Sequence, residues 1–460
     1  MARTTSAASP TICCTASSST SAPFVPPRVP ACSPAAGDTS GHRFRCSALF
    51  LDSVDAALAA HSAPTVEDLS IFLPFNAPRV SACRVAPWLL FASQRVMGTL
   101  RVLVPLQMSY FTKSEAEEEE EEVELPACAG AKRIFLRLDE RWRLRLPPAR
   151  LFAALTHLEI RSARVEGSEL SALVTTWCPR LKDLYLFVTL CPVSDISIRT
   201  ESLESLCCRV YNTSRIEVIA PKLERLAVGD IQSFVISAPE LAELDWDSHV
   251  YDPRRHVFAD VGLDRRLRSL KINRDSIAAP LLQRFDSVDE LDLDISISQE
   301  ISGYENFLNK TKKLPKCKTL SVSVQHSQHG LLPIMQHLLK SCSTTRKISV
   351  TLNTIGVCGW VSFCPLHCVC RLVENRKIDD IALSSLEEVE VSNFTISQEE
   401  VEFIQQLSRC NASVLKRIVI YYKRHPTTSL TKEVCQEACQ KVRNKCRQNL
   451  KVEFYVYSRM

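Results

Sequence analysis

The chain between Cys178 and Asp247 contains the same short pattern four times. The four phrases are CPRLKDLYLF, TESLESLCC, APKLERLAV and APELAELDW, and each is a variation on L-x-x-L-x-(L/I/V). The last two apolar positions are two residues apart, so on a strand they face the same side. The first position lies three residues earlier, in the turn before the strand. One such unit cannot bury its apolar face alone, so neighbouring units must stack on each other.

The pattern continues on both sides of this stretch. The first apolar positions of successive units fall at residues 155, 181, 203, 223, 241, 267, 288 and 317, in steps of 18 to 29 residues. Leucine-rich repeats step by about 20 to 29 residues. Short steps leave room only for an extended or single-turn return, whereas a long segment such as Ser327–Ser341 can form a helix. The sequence therefore predicts an α/β fold: an irregular leucine-rich-repeat solenoid with a curved parallel sheet and helices or turns on its outer face.

Elements near the two ends of the array fit the same alternation of helix and strand. Leu51–His61 has apolar residues near helical spacing, which predicts a short amphipathic helix. Near the C-terminus, Glu399–Leu407 is predicted to be a helix with Ser397 as its N-cap. A helix over Thr431–Cys446 and a last strand, LKVEFYVY, are predicted to close the array, because a solenoid needs a cap.

Composition and motifs argue against several classes of function. A formal net charge of +4 over 460 residues, without a long Lys/Arg tract, does not indicate nucleic-acid binding. No uncharged run reaches the length of a membrane span. There is no H-E-x-x-H, G-x-S-x-G or Walker motif, and only 11 glycines are available for phosphate loops. We therefore expect a protein without enzyme activity or a cofactor.

One cluster of sulfur and imidazole side chains is a candidate metal site. It consists of Cys358, Cys364, His367, Cys368 and Cys370. Zinc sites usually place paired ligands about two to four residues apart, and C-x5-C-x3-C-x-C contains no such C-x2-C pair. We therefore predict that these residues pack structurally and bind no metal. The other cysteines at apolar repeat positions, among 20 in all, indicate a reducing compartment.

Several segments resemble a known plant family. SLEEVEVSNFTISQEEVEFIQQL followed by VLKRIVI, preceded by Cys368-Val-Cys370, looks like the FBD domain that ends many plant F-box/leucine-rich-repeat proteins. FLDSVDAALAAH, VEDLSIFL and WLLFASQRVMGTLRVLV resemble the first repeats of grass members, as does the closing NLKVEFYVYSR. The resemblance covers roughly residues 45–460, and its FBD motif is the most specific part.

The resemblance implies a substrate-recognition subunit of an SCF-type (cullin–RING) E3 ubiquitin ligase. In such proteins an F-box docks on a Skp-type adaptor and the repeats hold a target protein. We find no F-box pattern upstream of Ser53, so an adaptor is expected only if the true gene product has an F-box. The alternative is an organelle-targeted or free-standing interaction scaffold without a ligase role. In both cases we expect a protein partner, with no nucleic acid and no membrane.

The predicted domains follow from these observations. Residues 1–44 are predicted to form a disordered Ala/Ser/Thr/Pro-rich leader. We expect the protein to be located in the cytoplasm or nucleus. The alternative is that the leader is a transit peptide and the protein is located in the chloroplast. Residues 45–355 form the solenoid, with an acidic loop insertion at 112–126. Residues 356–424 form the FBD-like domain, and residues 425–460 a helix–strand cap.

Partner-binding residues are predicted on the concave side of the sheet. In each repeat the residue between the two apolar strand positions points outward, together with its neighbours two away. Aromatic side chains beside charges suit partner recognition, and several acidic residues favour a basic partner segment; an ordinary solvated sheet face is the alternative. The outward set is Asp183, Tyr185, Phe187, Arg225, Glu243, Asp245, Asp247, Lys271, Glu290, Asp292 and Asp294.

Overall fold

The computed structural model describes most of the chain. The described residues are 11–15, 39–74, 80–105, 120–147, 151–229, 231–248, 251–259, 267–273, 279–297, 300–325, 330–353, 367–372, 377–378, 381–423, 440, 442–444, 446–447 and 450–457. They fall into two compact units. Unit 1 comprises residues 1–223 and 231–240, and unit 2 comprises residues 224–230 and 241–460.

Parallel strands dominate both units, and helices are few. The helices are α1 (Thr39–Ala60), α2 (Ala82–Arg95), α3 (Gly167–Ala172), α4 (Ala279–Arg284), α5 (Ile301–Lys310), α6 (Leu331–Lys340) and α7 (Gln398–Arg409). The strands are β1 (Thr11–Thr15), β2 (Val66–Phe72), β3 (Val96–Leu103), β4 (Glu122–Glu124), β5 (Arg133–Arg137), β6 (Arg143–Arg145), β7 (His157–Val165), β8 (Asp183–Arg199), β9 (Ser205–Ile219), β10 (Arg225–Gly229), β11 (Phe234–Ser237), β12 (Glu243–Asp247), β13 (His256–Phe258), β14 (Leu267–Ile272), β15 (Ser287–Ser296), β16 (Lys316–Gln325), β17 (Lys347–Leu352), β18 (Glu388–Phe394), β19 (Arg417–Lys423) and β20 (Lys451–Tyr457).

The repeat pattern fixes the core of each unit. In the repeat that begins at Leu181, that residue lies in the turn before the strand, and Leu184 and Leu186 point inward. All three are fully buried. The equivalent positions of the other repeats, from 155 to 317, are also buried, and Cys208 and Trp246 are the third apolar residues of their repeats. The main sheet of each unit pairs in one linear order, so it is open. The predicted leucine-rich-repeat α/β fold is therefore confirmed.

Unit 1 has a main parallel sheet and a second set of parallel strands. The main sheet runs β1, β2, β3, β5, β7, β8 and β9. Because the steps here are short, the chain returns in extended form: the second halves of β8 and β9 pair with each other, and β9 pairs with β11. The inward residues of this second set of strands, such as Ile196, Val218 and Phe234, are buried. Helix α3 and the π-helical turn Leu173–Trp177 lie between β7 and β8.

Unit 2 is one parallel sheet in the order β10, β12, β14, β15, β16, β17, β18, β19 and β20. Helices α5, α6 and α7 lie in its longer steps, as the step lengths predict, whereas α4 lies in the short step from 267 to 288. The ladder continues without a break from β17 to β18, where Ile348 pairs with Val389. The predicted start of the FBD-like domain at residue 356 therefore lies inside unit 2, and the division between the units lies inside the predicted solenoid.

Three predicted segments differ in extent from the described ones. Helix α1 begins at Thr39, well before Leu51, and β1 lies within the predicted leader, where it pairs with β2. In the predicted acidic loop, Glu122–Glu124 forms β4, because Val123 is buried and the strand pairs with β6. Residues 112–119 of that loop and 431–439 of the predicted cap helix lie outside the described residues. In the last strand, β20, Val456 is exposed.

The start of α7 has a reciprocal cap. Ser397 Oγ accepts a hydrogen bond from the Glu400 backbone N–H at 3.3 Å, and Glu400 Oε2 accepts from the Ser397 N–H at 3.0 Å. Glu400 Oε2 also accepts from the Thr395 N–H at 2.9 Å. Glu400 is almost fully buried, so its carboxylate satisfies backbone donors that water cannot reach.

Replacing Glu400 is therefore expected to destabilise unit 2. Glu400→Ala leaves two backbone N–H groups without an acceptor, which costs about 2–4 kcal/mol of unfolding free energy. The comparison is Glu402→Ala on the same helix, whose carboxylate bonds only Gln406 at 3.1 Å and whose loss costs about 0.5 kcal/mol or less. Urea denaturation measures the unfolding free energy of both variants. Equal losses of unfolding free energy in the two variants would contradict the capping role of Glu400.

Candidate protein-binding strand faces

Three rows of outward side chains cross β3, β5, β7, β8 and β9 in unit 1. We call these rows the unit 1 face. In β3 to β9 order, strand register gives a first row of Thr99, Arg133, His157, Asp183 and Ser205; a second of Arg101, Phe135, Glu159, Tyr185 and Cys207; and a third of Leu103, Arg137, Arg161, Phe187 and Arg209.

Aromatic rings and guanidinium groups stack on each other across the unit 1 face. The Phe187 ring lies between Arg161 and Arg209, whose guanidinium carbons are 4.7 Å and 5.1 Å from its centroid. Arg101 stacks on Phe135 in the same way, at 4.7 Å. Such cation–π contacts hold long side chains in fixed orientations. The face is therefore built from rigid groups rather than freely solvated ones.

A half-buried imidazole links two of the rings. The His157 ring centroid is 4.6 Å from that of Phe135 and 5.2 Å from that of Tyr185. His157 Nδ1 lies 3.8 Å from Asp183 Oδ2, while Nε2 is buried without a hydrogen-bond partner. Burial lowers the pKa of His157 below its usual value, and this outweighs the opposite effects of Asp183 and Glu159. His157 is therefore neutral at pH 7 and acts as part of the aromatic stack.

Unit 2 has its own outward rows, which we call the unit 2 face. Across β10, β12, β14, β15 and β16, one row is Arg225, Glu243, Ser269, Glu290 and Thr319, and the next is Ala227, Asp245, Lys271, Asp292 and Ser321. Several of its acids have partners within the face. Glu243 Oε1 is 3.3 Å from Arg268 Nε, and Asp245 accepts a 2.6 Å hydrogen bond from Asn273 Nδ2.

The acidic residues of β15 are less well compensated. Glu290, Asp292 and Asp294 alternate along this strand and so point to the same side. Burial raises the pKa of Asp292; Lys271 lowers it, and the neighbouring carboxylates of Asp294 and Glu290 raise it further. Oδ1 of Asp294 is buried without a hydrogen-bond partner. The negative character that the sequence predicts for the sheet face is thus concentrated on β15.

The predicted partner-binding residues divide between the two faces. Asp183, Tyr185 and Phe187 lie on the unit 1 face, half-buried on β8. The other eight lie in unit 2: Arg225, Glu243, Asp245, Lys271, Glu290 and Asp292 in the two rows, Asp294 beside Ser323, and Asp247 at the end of β12. Asp247 is buried, with only 6% of its surface exposed, so it is a poor contact residue.

Several outward residues of unit 1 were not predicted from the sequence. They are Arg101, Arg133, Phe135, Arg137, His157, Glu159, Arg161 and Arg209. A signal was present, because GTLRVLV, AKRIFLR and LTHLEIR contain the repeat pattern and the outward position follows from it. What the sequence could not show is that rings and guanidinium groups on neighbouring strands stack on one another.

The candidate metal cluster is only partly described. Cys368 and Cys370 are buried in unit 2, whereas Cys358 and Cys364 lie outside the described residues. Among the residues that the structure describes, no group of three or more His, Cys, Asp or Glu side chains is placed to hold a metal ion. In the same part of the chain, no helix combines the length and apolar character needed to cross a membrane.

Residues 118–252 match the family model described as "FBD-associated F-box protein At5g56370, LRR repeats". The matched segment contains strands β4 to β12, including much of the unit 1 face. No curated protein and no solved structure matches the chain.

The lowered pKa of His157 gives a test of its neutral, stacked state. The unfolded chain binds the proton more readily than the folded one, so stability falls as the pH drops through the ordinary histidine range. His157→Phe keeps the ring stack and removes the titration. Wild type is therefore expected to lose more unfolding free energy than His157→Phe between about pH 7.5 and pH 5.5. Urea denaturation at both pH values measures this difference; equal losses would contradict it.

The raised pKa of Asp292 predicts that its contribution to stability changes with pH in the opposite direction to that of His157. The ionised form is disfavoured in the folded state, so its contribution to stability falls as the pH rises through the folded-state pKa. Asp292→Asn is therefore expected to raise the urea midpoint at pH 7 and to raise it less at about pH 4.5. Asp286→Asn is the control, because Asp286 is 84% exposed and its ion pair with Lys313 contributes about 0–1 kcal/mol. A lower midpoint for Asp292→Asn at pH 7 would refute the prediction.

Proposed function

We propose that this chain is a non-enzymatic substrate-recognition subunit of an SCF-type ubiquitin ligase, from the plant F-box/leucine-rich-repeat proteins with an FBD domain. The match of residues 118–252 to the repeats of an FBD-associated F-box protein supports this proposal. Leucine-rich repeats of this kind are protein-interaction modules. In this proposal the strand faces bind a target protein, and a Skp-type adaptor connects the complex to the ligase.

The observation that supports the proposal is the composition of the unit 1 face. Binding hot spots are enriched in tyrosine, tryptophan and arginine, and rigid aromatic side chains lose little entropy on binding. Tyr185 and Phe187 are adjacent outward residues of β8, and the guanidinium groups of Arg161 and Arg209 flank Phe187. A purely solvated sheet face would not need large aromatic groups at these positions.

Removing the two aromatic side chains is expected to abolish target binding. The experiment compares proximity labelling by the full gene product with that by Tyr185→Ala/Phe187→Ala. Targets recovered with wild type are expected to fall about tenfold or more in the variant, as for loss of hot-spot residues. Leu90→Ala is the matched control, because Leu90 is an exposed apolar residue on α2, away from the face. Unchanged labelling in a folded double variant would contradict binding at this face.

The ligase role has its own test. The gene product, tagged at its C-terminus and expressed in plant cells, is expected to co-purify with a Skp-type adaptor and a cullin. If targets bind but no adaptor co-purifies, the chain acts as a free-standing interaction scaffold, which is the alternative function. The strand-face proposal is independent of that outcome.

A further inference from the structure

The unit 1 face has an excess of positive charge. Its three rows contain five arginines, at 101, 133, 137, 161 and 209, and two carboxylates, Glu159 and Asp183. His157 adds no charge at pH 7, since burial lowers its pKa. This local excess is unlike that of the chain as a whole, whose net charge is +4 over 460 residues. The charge complement of this face is an acidic ligand.

Two features prepare these arginines to bind carboxylates. Stacking on Phe135 and Phe187 fixes the planes of Arg101, Arg161 and Arg209, so little side-chain entropy remains to be lost on binding. Within the described part of the chain, the Arg101 guanidinium makes this stacking contact and no hydrogen bond or ion pair. Arg161 donates from Nε to Glu159 Oε1, at 2.5 Å, which leaves its terminal nitrogens for a ligand. Planar guanidinium donors match carboxylate geometry.

The dimensions of the face suit a short extended peptide. Neighbouring strands lie about 4.8 Å apart, so β3 to β9 span about 19 Å along the rows. An extended chain covers this distance in about six residues. Acidic side chains two residues apart on such a peptide point to the same side, about 7 Å apart, and can reach arginines on different strands.

We propose that the unit 1 face binds an extended acidic peptide segment of a partner protein, with carboxylates on Arg101 and Arg161 and with Arg209 adding positive charge beside them. The inference rests on the proposed function and specifies the chemistry of the target segment. Arg133 and Arg137, on β5, extend the positive surface. Glu159 competes with the ligand for Arg161 and so limits the affinity.

Single-stranded nucleic acid fits the face less well. Bases bind such proteins by stacking on free aromatic surfaces. Here guanidinium groups stack on the rings of Phe135 and Phe187, and His157 stacks between Phe135 and Tyr185. Glu159 and Asp183 also repel a chain with a phosphate at every residue.

Fluorescence anisotropy with the purified full chain tests the proposal. The probes are three labelled eight-residue peptides in which serine alternates with glutamate, glutamine or lysine. The glutamate peptide is expected to bind at least about tenfold more tightly than the glutamine peptide, and its affinity is expected to fall as salt is added. The lysine peptide is expected not to bind. Tighter binding of the lysine peptide, or of a single-stranded oligonucleotide, would overturn the proposal.

Two sets of variants locate the binding. The double variant Arg161→Gln/Arg209→Gln is expected to bind the glutamate peptide about tenfold or more weakly than wild type. Arg180→Gln removes one positive charge from an exposed turn before β8 and is expected to leave binding within about twofold. Glu159→Gln frees Arg161 and is expected to tighten binding by a few-fold, a gain that misfolding cannot produce. Equal affinity of the double variant and wild type, or weaker binding by Glu159→Gln, would refute the assignment.

The outcome separates this inference from the proposed function. If acidic peptides do not bind while Tyr185→Ala/Phe187→Ala still loses its targets in cells, the face binds proteins of different chemistry and only the inference fails. If target labelling also survives that double variant, the proposed binding at this face fails as well.

Discussion

The structure depends on one constraint: a single L-x-x-L-x-L unit cannot bury its own apolar face. Leu181, Leu184 and Leu186 are fully buried because the strands on either side provide equivalent residues, and each neighbour depends on the next. Burial of apolar area stabilises by about 25 cal/mol per Å², but only the stacked array can obtain it. The inward positions therefore determine the register, and the register in turn determines which outward side chains meet.

This dependence explains how charged and aromatic groups become a surface. The outward residues of one repeat are only three side chains, too few for a binding site. Parallel pairing places equivalent positions about 4.8 Å apart, which is close enough for a guanidinium group to stack on the ring of the adjacent strand, as Arg161 does on Phe187. The same spacing in unit 2 brings Lys347 within 3.2 Å of Glu388 and 3.0 Å of Glu390, which neutralises charge instead.

The fold was predictable from the sequence, because inward apolar residues recur at fixed spacing and need no knowledge of distant contacts. The cap at Ser397 was predictable for the same reason, since its partner Glu400 is three residues away. The unit 1 face was predictable only in part. Tyr185 and Phe187 follow from the pattern, but their contacts with His157, Arg161 and Arg209 depend on strands 22 to 28 residues away and on side-chain rotamers. The strand β4 was also missed, because its two glutamates flank a single buried residue, Val123. The sequence also could not show that Arg143, on another strand, lies beside Glu122.

The central claim is that the outward rows of unit 1 contact a partner protein. Site-specific photo-crosslinking measures this directly: a photoreactive phenylalanine replaces Tyr185, or replaces Arg180 on the nearby exposed turn, and the gene product is irradiated in plant cells. The account predicts a discrete crosslinked partner from position 185 and none from position 180. Crosslinks of equal yield from both positions, or from position 180 alone, would contradict it.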